Sequence, residues 1–187
     1  LDEEDIQEVY EVEKNINFLH HAITDYLVKI NQATLPIEDL KSIGALFHVV
    51  NDIERIGDHA ENVADAARQR KEAGISISKE AQGQLGEMLE MVNKLIRYSV
   101  DMFVRSDESH MREVVALEDK VDAKEREMQM AHVQRLTRGE CTPEAGMIFS
   151  DIASGLERVA DHATNIAFAI IAAEREAEAA ETQRRQG

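Results

Sequence analysis

Two copies of one short acidic motif are the residues in this sequence best suited to chemistry. In each copy a Glu is followed four residues later by an Asp: Glu54 with Asp58, and Glu157 with Asp161. Residues four apart lie one turn apart on the same face of a helix, where two like charges destabilise the isolated helix. Their repetition in both halves of the chain therefore indicates a role beyond solubility.

A third acidic pair, Glu118 with Asp122, has the same spacing upstream of the second copy. If its helix faces the helix of Glu157 and Asp161, the carboxylates form an oxygen-rich cluster that needs cations to stay ionised. Ions of Mg, Ca, Mn, Fe and Zn all accept such ligands. The alternative is a solvated helix face, on which the arginine after each motif Glu pairs with the acids.

Other polar residues recur beside the motif. His59 and His162 directly follow the motif Asp but point about 100° away from it, which favours a polar role at the surface, or support of a metal ligand, over direct ligation. Asn62 and Asn165 extend the polar face by one turn and are typical of hydrogen bonding between helices. Asp151 lies on the flank of the second cluster, but the first copy has no acidic counterpart.

Five helices are needed to position these residues. Aromatic residues make up only 4% of the chain and there are two prolines, which favours long helices over a sheet. Pro36 and Pro143 suit the starts of helices, Ser78 is a good N-cap, and Gly74 suits a helix end. Apolar residues recur at helical spacing over about 2–31, 36–73, 78–106, 109–137 and 143–174.

The composition excludes several classes of protein. The 187 residues suit one domain or two small ones, and the formal net charge is −16. Such a charge repels the phosphates of nucleic acids and anionic lipids, so neither is expected as a direct partner. The single cysteine, Cys141, cannot form an intramolecular disulfide and fits a reducing compartment. No segment is long and apolar enough to span a bilayer.

Motifs of enzyme active sites are missing from the sequence. It has no Glu-x-x-His of the di-iron bundle oxidases, no Gly-rich phosphate loop and no His-Glu-x-x-His. We therefore predict a non-catalytic protein. A metal-dependent helical-bundle enzyme and a purely structural bundle without metal are the alternatives.

The repeat extends well beyond the acidic motif. Residues 51–67 and 154–170 are identical at about half of their aligned positions, and 12–17 align with 117–122 upstream. The second copy is preceded by a further helix over 78–106, whereas the first copy begins the chain. This asymmetry predicts a missing helix ahead of the first copy. The predicted units are a truncated repeat (1–74), a complete three-helix repeat (78–174) and a frayed polar tail (175–187).

The repeated sequences ERIGDHAEN and ERVADHATN resemble the duplicated motif of the PhoU family of phosphate-uptake regulators. The resemblance covers nearly the whole chain. Three segments, INFLHHAITDYLVKI, ALFHVVNDIERIGDHAENVAD and RLTRGECTPEAGMIFSDI, are more similar still to one branch of that family. That branch is the PhoU-like cytoplasmic domain at the C-terminus of bacterial sodium/phosphate cotransporters.

The resemblance implies a fold of two antiparallel three-helix bundles, each able to hold a multinuclear iron or zinc cluster, with manganese, magnesium or calcium as alternatives. Carried over by position, the second site would use four carboxylates and the first site three, because Asn17 replaces an Asp there. These ligands are Glu118, Asp122, Glu157 and Asp161 in the second site, and Glu13, Glu54 and Asp58 in the first.

The resemblance also implies a function. The expected role is regulation of phosphate uptake through protein contacts at the cytoplasmic side of the bacterial membrane, by a domain of a sodium/phosphate cotransporter. The partner would be the membrane-embedded transporter, in the same polypeptide or a separate one, and a homo-oligomer could cover the apolar surface of the incomplete first bundle. The alternative is a free-standing adaptor of a phosphate ABC transporter and its sensor kinase.

Overall fold

The computed structural model describes the backbone of residues 2–33 and 35–186, and their side chains except those of 37, 38 and 170–186. The described residues form five α-helices and no strand, which confirms the predicted all-α fold. None of these helices combines the length and apolar character needed to cross a bilayer. The helices are α1 (Glu3–Asn31), α2 (Ile37–Glu72), α3 (Lys79–Arg105), α4 (Met111–Thr137) and α5 (Pro143–Gln186).

Side-chain caps begin three of the helices, as expected for backbone N–H groups that have no partner within the helix. The Asp2 carboxylate accepts hydrogen bonds from the N–H groups of Glu4 and Asp5, and the Asp5 carboxylate accepts one from the N–H of Asp2. Ser78 caps α3 and Thr142 caps α5 in the same way. At the other end of α2, Gly74 adopts a φ of 64°, which favours glycine.

Helices α3, α4 and α5 form a three-helix bundle in which each helix packs against the other two. One cluster of buried apolar side chains fills its centre, and all three helices contribute to it. Full burial of such residues supplies most of the stability of a bundle. The contributors include Met88 and Leu95 from α3, Val121 and Met128 from α4, and Phe149 from α5.

Helix α1 packs against α2 alone among the described helices, so the first repeat is a hairpin and not a closed bundle. Helix α2 also packs along α5, and this contact joins the hairpin to the three-helix bundle. The described helices therefore form a hairpin joined to a three-helix bundle, and none of them lies against α1 and α2 as α3 lies against α4 and α5.

Small residues allow the motif segments to pack closely. A Cβ atom on Gly57 would lie only 3.3 Å from Cδ1 of Ile16 on α1, so the Ile16 side chain would have to shift by a few tenths of an ångström to accept it. Its counterpart Ala160 is buried in the core of the bundle. Gly155 faces Val63 across the contact between α2 and α5, where an added Cβ would lie 3.4 Å from the valine. Small side chains at these positions therefore let the motif segments approach their neighbouring helices closely.

Helix α5 continues as one backbone helix to Gln186, beyond residue 174, where its apolar pattern ends. The side chains from 170 onward, including those of the predicted polar tail at 175–187, lie outside the described residues. The division into units at 1–74, 78–174 and 175–187 remains a prediction.

Candidate metal centre

Three of the predicted carboxylates meet between α4 and α5. Glu118 and Asp122 come from adjacent turns of α4, and Asp161 faces them from α5. Each of the three carboxylates contributes one oxygen to a group in which all three oxygens lie within 4.8 Å of one another. Two ligands on opposite sides of one Mg²⁺ or Ca²⁺ ion are about 4–5 Å apart, twice the metal–oxygen distance. The spacing therefore fits a single hard cation.

The electrostatic environment of this cluster opposes its negative charge. Partial burial raises the pKa of Glu118, and the carboxylates of Asp122, Asp119 and Asp161 raise it further. Burial also raises the pKa of Asp161, and Asp122 adds to the rise. Ionised carboxylates that repel one another in a partly desolvated site are stabilised by a bound cation.

The fourth predicted ligand, Glu157, lies beside the group of three and not within it. Burial is the largest cause of the raised pKa of Glu157, and the negative charges of Asp161, Asp122 and Glu125 raise it further. Glu125 was not predicted as part of the site. It is half-buried on α4 and accepts hydrogen bonds from Gln129 at 3.0 Å and from Ser154 at 3.3 Å.

Arginines offset only part of this negative charge. Arg126 approaches Asp122 at 3.4 Å, but its side chain is 65% exposed, so solvent screens the pair. Arg158, the arginine within the second motif, lowers the pKa values of Glu157 and Asp161, but these values remain raised overall. Pairing with arginines therefore neutralises only part of the negative charge of the second motif.

The first repeat does not gather its predicted ligands in the same way. The side-chain amide of Asn17, at the position of Asp122, donates a hydrogen bond to the Glu13 carboxylate. Glu54 and Asp58 both lie near Arg55, at 3.8 Å and 3.5 Å. Among the described residues, no three acidic or histidine ligands of this repeat lie close enough together to share a cation.

Glu61 is an acidic residue of the first repeat that the sequence comparison missed. Burial raises its pKa, and the carboxylates of Glu13, Asp65 and Asp58 raise it further. It therefore lies in the same negative environment as two predicted ligands. The aligned residue of the second repeat is Thr164, so a search for residues shared by both repeats could not find Glu61. The only signal was its position one turn before Asp65 and three residues after Asp58.

The histidines next to the motif lie at the contact between the two repeats. His59 and His162 stack with ring centroids 5.6 Å apart and an interplanar angle of 22°. Asp52 of α2 contacts Nδ1 of His162 at 2.9 Å and accepts a 3.4 Å hydrogen bond from Asn165. These groups thus connect α2 to α5, which is the bonding between helices expected of Asn165. Asp52 has Gly155 as its counterpart, so the repeat gave no signal for it.

Two further predicted positions are solvent-exposed. Asn62 lies on the exposed side of α2, and Asp151 lies on the exposed side of α5. Neither belongs to the group of three carboxylates. The structure therefore places the best candidate ligands in the second repeat alone.

The arrangement of both repeats matches a known family. A model described as the PhoU domain matches residues 1–67 and 85–170. These two ranges cover most of the chain and contain both acidic motifs. The chain belongs to the PhoU family. The first matched range spans α1 and most of α2, and the second runs from within α3 to residue 170 of α5.

Curated members of the PhoU family resemble this chain over most of its length. The phosphate-specific transport system accessory protein PhoU homolog 1 of Thermotoga maritima is 28% identical over 166 residues, which are 88% of this chain and 71% of that protein. The corresponding PhoU homolog of Pseudomonas aeruginosa is 31% identical over 169 residues, 88% of this chain and 68% of that protein. Both are named as accessory proteins and not as enzymes.

Solved PhoU structures have the same fold. The crystal structure of PhoU from Pseudomonas aeruginosa superposes with a TM-score of 0.83 at 28% identity, covering 91% of this chain and 81% of that one. The phosphate transport system regulatory protein PhoU from Streptococcus pneumoniae superposes with a TM-score of 0.76 at 21% identity, covering 91% and 79%. The second likeness shows the fold alone.

Proposed function

We propose that this chain is a regulatory accessory protein of phosphate transport that acts through protein contacts. The observation that carries the proposal is the PhoU match over both repeats, together with relatives named as accessory proteins of phosphate-specific transport systems. Its partner is then a membrane-embedded phosphate transporter, and it acts on the cytoplasmic side of the bacterial membrane. The comparisons support this adaptor role more than a domain of a sodium/phosphate cotransporter.

A non-catalytic role agrees with the chemistry of the site. The motif carboxylates lie at a partly exposed helix–helix contact, and the sequence has no Glu-x-x-His motif. Phosphate itself is not an expected ligand of this site, because carboxylates repel it. The proposed contribution of the protein is therefore recognition of the transporter and not binding or conversion of phosphate.

Complementation tests the accessory role. A Pseudomonas aeruginosa strain without its own PhoU would receive this chain or an empty vector, and phosphate uptake would be measured at low and high phosphate. We expect the chain to restore the dependence of uptake on phosphate supply. A chain that accumulates in folded form but leaves uptake unchanged would contradict the proposal. A Leu95→Pro variant, which breaks α3, serves as the unfolded control.

The cotransporter remains the second candidate for the partner, because the three segments quoted above resemble that branch of the family. Crosslinking in cells followed by mass spectrometry of the captured membrane proteins separates the two candidates. Capture of components of a phosphate ABC transporter supports the adaptor role. Capture of a sodium/phosphate cotransporter alone would favour the other branch.

We further propose that the second repeat binds a metal. Glu118, Asp122 and Asp161 would hold the ion, and Glu157 would join them after a side-chain rotation. Their oxygen donors and spacing suit a hard or borderline cation, with iron, zinc, manganese, magnesium and calcium as candidates. When bound, the metal would neutralise the cluster and hold α4 against α5. The ligands predicted in the first repeat, Glu13, Glu54 and Asp58, would need Glu61 to reach a similar charge.

Elemental analysis tests the metal proposal without reference to activity. The protein would be purified without chelator or metal column and compared with a Glu157→Ala plus Asp161→Ala variant. We expect near-stoichiometric metal in the wild type and loss of that metal in the variant. Equal, near-zero contents in both proteins, even after incubation with these metals, would show that the carboxylates are a solvated or docking face.

A further inference from the structure

A groove runs along the contact between α3 and α4 in the second repeat. Two adjoining recesses of about 580 Å³ and 490 Å³ form it, and both are lined by Glu90 and Lys94. Its apolar lining comes from Met91 of α3 and from Leu117 and Ala123 of α4. We call this surface the α3–α4 groove. None of its lining residues belongs to the carboxylate group between α4 and α5.

The lining of this groove is basic, although the chain as a whole is acidic. The formal net charge of the chain is −16, but cations outnumber carboxylates among the residues that line the groove. The four cations are Lys94, Arg97, Lys120 and Lys124, and the three carboxylates are those of Glu87, Glu90 and Glu127. The groove is therefore a local exception to the charge of the protein.

One lysine uses two of the three carboxylates. The side chain of Lys124 is only 16% exposed, and its Nζ lies 2.6 Å from Glu87 and 3.7 Å from Glu127. The cations of the groove that form no ion pair within the described part of the chain are Lys94, Arg97 and Lys120. All three side chains are exposed. We call them the unpaired cations.

Exposed cations without a partner attract the carboxylates of another molecule. At physiological ionic strength, exposed charges are screened beyond about 8 Å, so the unpaired cations act on a ligand in the groove more strongly than distant acidic surfaces do. Carboxylates placed between them would form charge-assisted hydrogen bonds. A nucleic acid or an anionic membrane would extend beyond the groove onto acidic surface that repels it. The charge pattern therefore favours a narrow acidic ligand.

The length of the groove fits one short helix. Along α3 it extends from Glu87 to Tyr98, which is about 16 Å or about three helical turns. Two packed helices present a groove into which a ridge of side chains from a third helix fits. Met91 and Leu117 would give that ridge apolar contacts. Amphipathic helices bind in such grooves through side chains three and four residues apart.

We propose that the α3–α4 groove binds an amphipathic helix of a partner protein that carries Asp or Glu beside its apolar stripe. The stripe contacts Met91 and Leu117, and the acidic side chains pair with the unpaired cations. The ion pairs of Lys124 occupy the other end of the groove, where Glu87 and Glu127 leave an excess of negative charge. A helix with its acidic residues at one end can therefore bind in one direction only. This inference is independent of the proposed metal and of the proposed transporter role.

Fluorescence anisotropy with the full chain and a labelled helical peptide tests the proposal. The peptide has about four turns, Leu along one stripe, Glu on both sides of that stripe in its first half, and Ala and Gln elsewhere. We expect it to bind in about 0.15 M NaCl. A peptide with Gln in place of Glu, and another with Ala in place of Leu, should each lose at least about tenfold in affinity, or about 1.4 kcal/mol.

Two charge-reversal variants of the chain locate the binding surface. Lys94→Glu plus Lys120→Glu alters the α3–α4 groove, and Lys14→Glu plus Lys29→Glu alters two lysines of α1. Both variants have the same formal net charge, because each replaces two lysines by two glutamates. All four lysines are exposed, so circular dichroism should show that both variants stay folded. We expect the first to lose at least about tenfold in affinity for the acidic peptide, and the second to bind nearly as the wild type does.

Four outcomes would overturn the proposal. Failure of the acidic peptide to bind the wild-type chain would show that the groove does not accept such a helix. Equal loss of affinity in both variants would show that net charge controls binding. Unchanged affinity of the peptide without Leu would show that an apolar stripe is not recognised. A dimer of the free chain in light scattering, converted to a monomer by Lys94→Glu plus Lys120→Glu, would show that a second copy covers the groove.

Discussion

Individual carboxyl groups in this protein differ in pKa because their surroundings differ. Asp161 is one of a crowded group in which burial and Asp122 raise its pKa, whereas Asp107 accepts hydrogen bonds from Ser109 that lower its pKa. A raised carboxyl pKa means that ionisation costs more in the folded chain than in the unfolded chain. Stability is then lost as pH rises from the usual pKa of Asp through the raised one.

We predict that Asp161→Asn stabilises the metal-free protein at pH 7, because it removes one negative charge from the cluster. The midpoint of thermal unfolding should rise by about 1–2 °C, the effect of a partly exposed charge pair in a chain of this size. The gain should shrink as pH falls toward the usual pKa of Asp, where both proteins are neutral at this position. Calorimetry in the presence of EDTA measures it.

Asp107→Asn is the matched control with the opposite sign. Hydrogen bonds from Ser109 stabilise the ionised form of Asp107 in the folded chain, so its neutralisation should lower stability at pH 7. A fall in the unfolding midpoint for Asp161→Asn would contradict the electrostatic account of the cluster.

Acidic residues that recur at a spacing of four are visible in the sequence, whereas isolated acidic residues without an acidic counterpart are not. Glu118 and Asp122 were predicted from their spacing and Asp161 from its repeated motif, and the structure brings one oxygen of each close together. Glu61, Glu125 and Asp52 each have a non-acidic counterpart in the other repeat, so repetition could not reveal them. Their roles depend on which helices become neighbours, and local sequence does not determine that.

At the level of single helices, the predicted boundaries agree with the structure except at the end of α5, because most helix ends here depend on local chemistry. Helix α5 continues to Gln186, beyond the predicted end at about 174. Ser78, Thr142 and Gly74 act at the ends of helices through hydrogen bonds or a positive φ formed within a few residues. Apolar spacing predicts which side chains are buried less accurately than it predicts where helices lie. Leu89 fits the stripe of α3 by spacing, but it is 45% exposed because α4 and α5 cover a narrower side of that helix.

Leu95 and Leu89 on α3 differ in exposure, so their substitution should have different effects on stability. Leu95 is fully buried in the bundle core, so Leu95→Ala should destabilise the protein by about 2–5 kcal/mol. Leu89→Ala removes the same atoms from the exposed side of the same helix and should cost less than about 1 kcal/mol. Urea unfolding of both variants measures the contrast. Similar losses for the two would mean that α3 packs in another orientation.

The contact between α4 and the start of α5 leads to a second prediction. A Cβ atom on Gly146 would overlap the ring of His132, whose Nδ1 is buried. Gly146→Ala should therefore destabilise the protein by about 1–3 kcal/mol, as overpacking does. In the exposed part of α3, Gly86 has no atom near the added Cβ, so Gly86→Ala should stabilise the protein by about 0.5–1 kcal/mol. Thermal unfolding measures both, and a stabilising Gly146→Ala would rule out this contact.

At the scale of the whole molecule, the packing of α2 along α5 was not predicted. The sequence indicates two repeats, but the residues that join them, such as Asp52 with His162, are 110 positions apart. Contacts at this distance along the chain leave no periodic pattern. The exposed side of the hairpin was expected, because one repeat has a helix that the other lacks.

The net charge of −16 predicts that salt stabilises the metal-free protein. Like charges on a compact chain repel one another more than on the unfolded chain. Raising NaCl from about 0.01 M to about 0.1 M shortens the screening length from about 30 Å to about 10 Å. The unfolding midpoint should rise over this range, as measured by calorimetry with EDTA. A fall in the midpoint would mean that attractive ion pairs outweigh the repulsion.

The stacking of His59 on His162 bears on how the two repeats of this chain evolved. The two histidines occupy equivalent positions, so the halves of the chain meet through the same surface, as the subunits of a two-fold symmetric homodimer do. A protein of half this length could have paired with its own copy through that surface. Gene duplication and fusion would then have kept an existing interface, after which Asp52 and Gly155 could diverge on either side of the former symmetry axis.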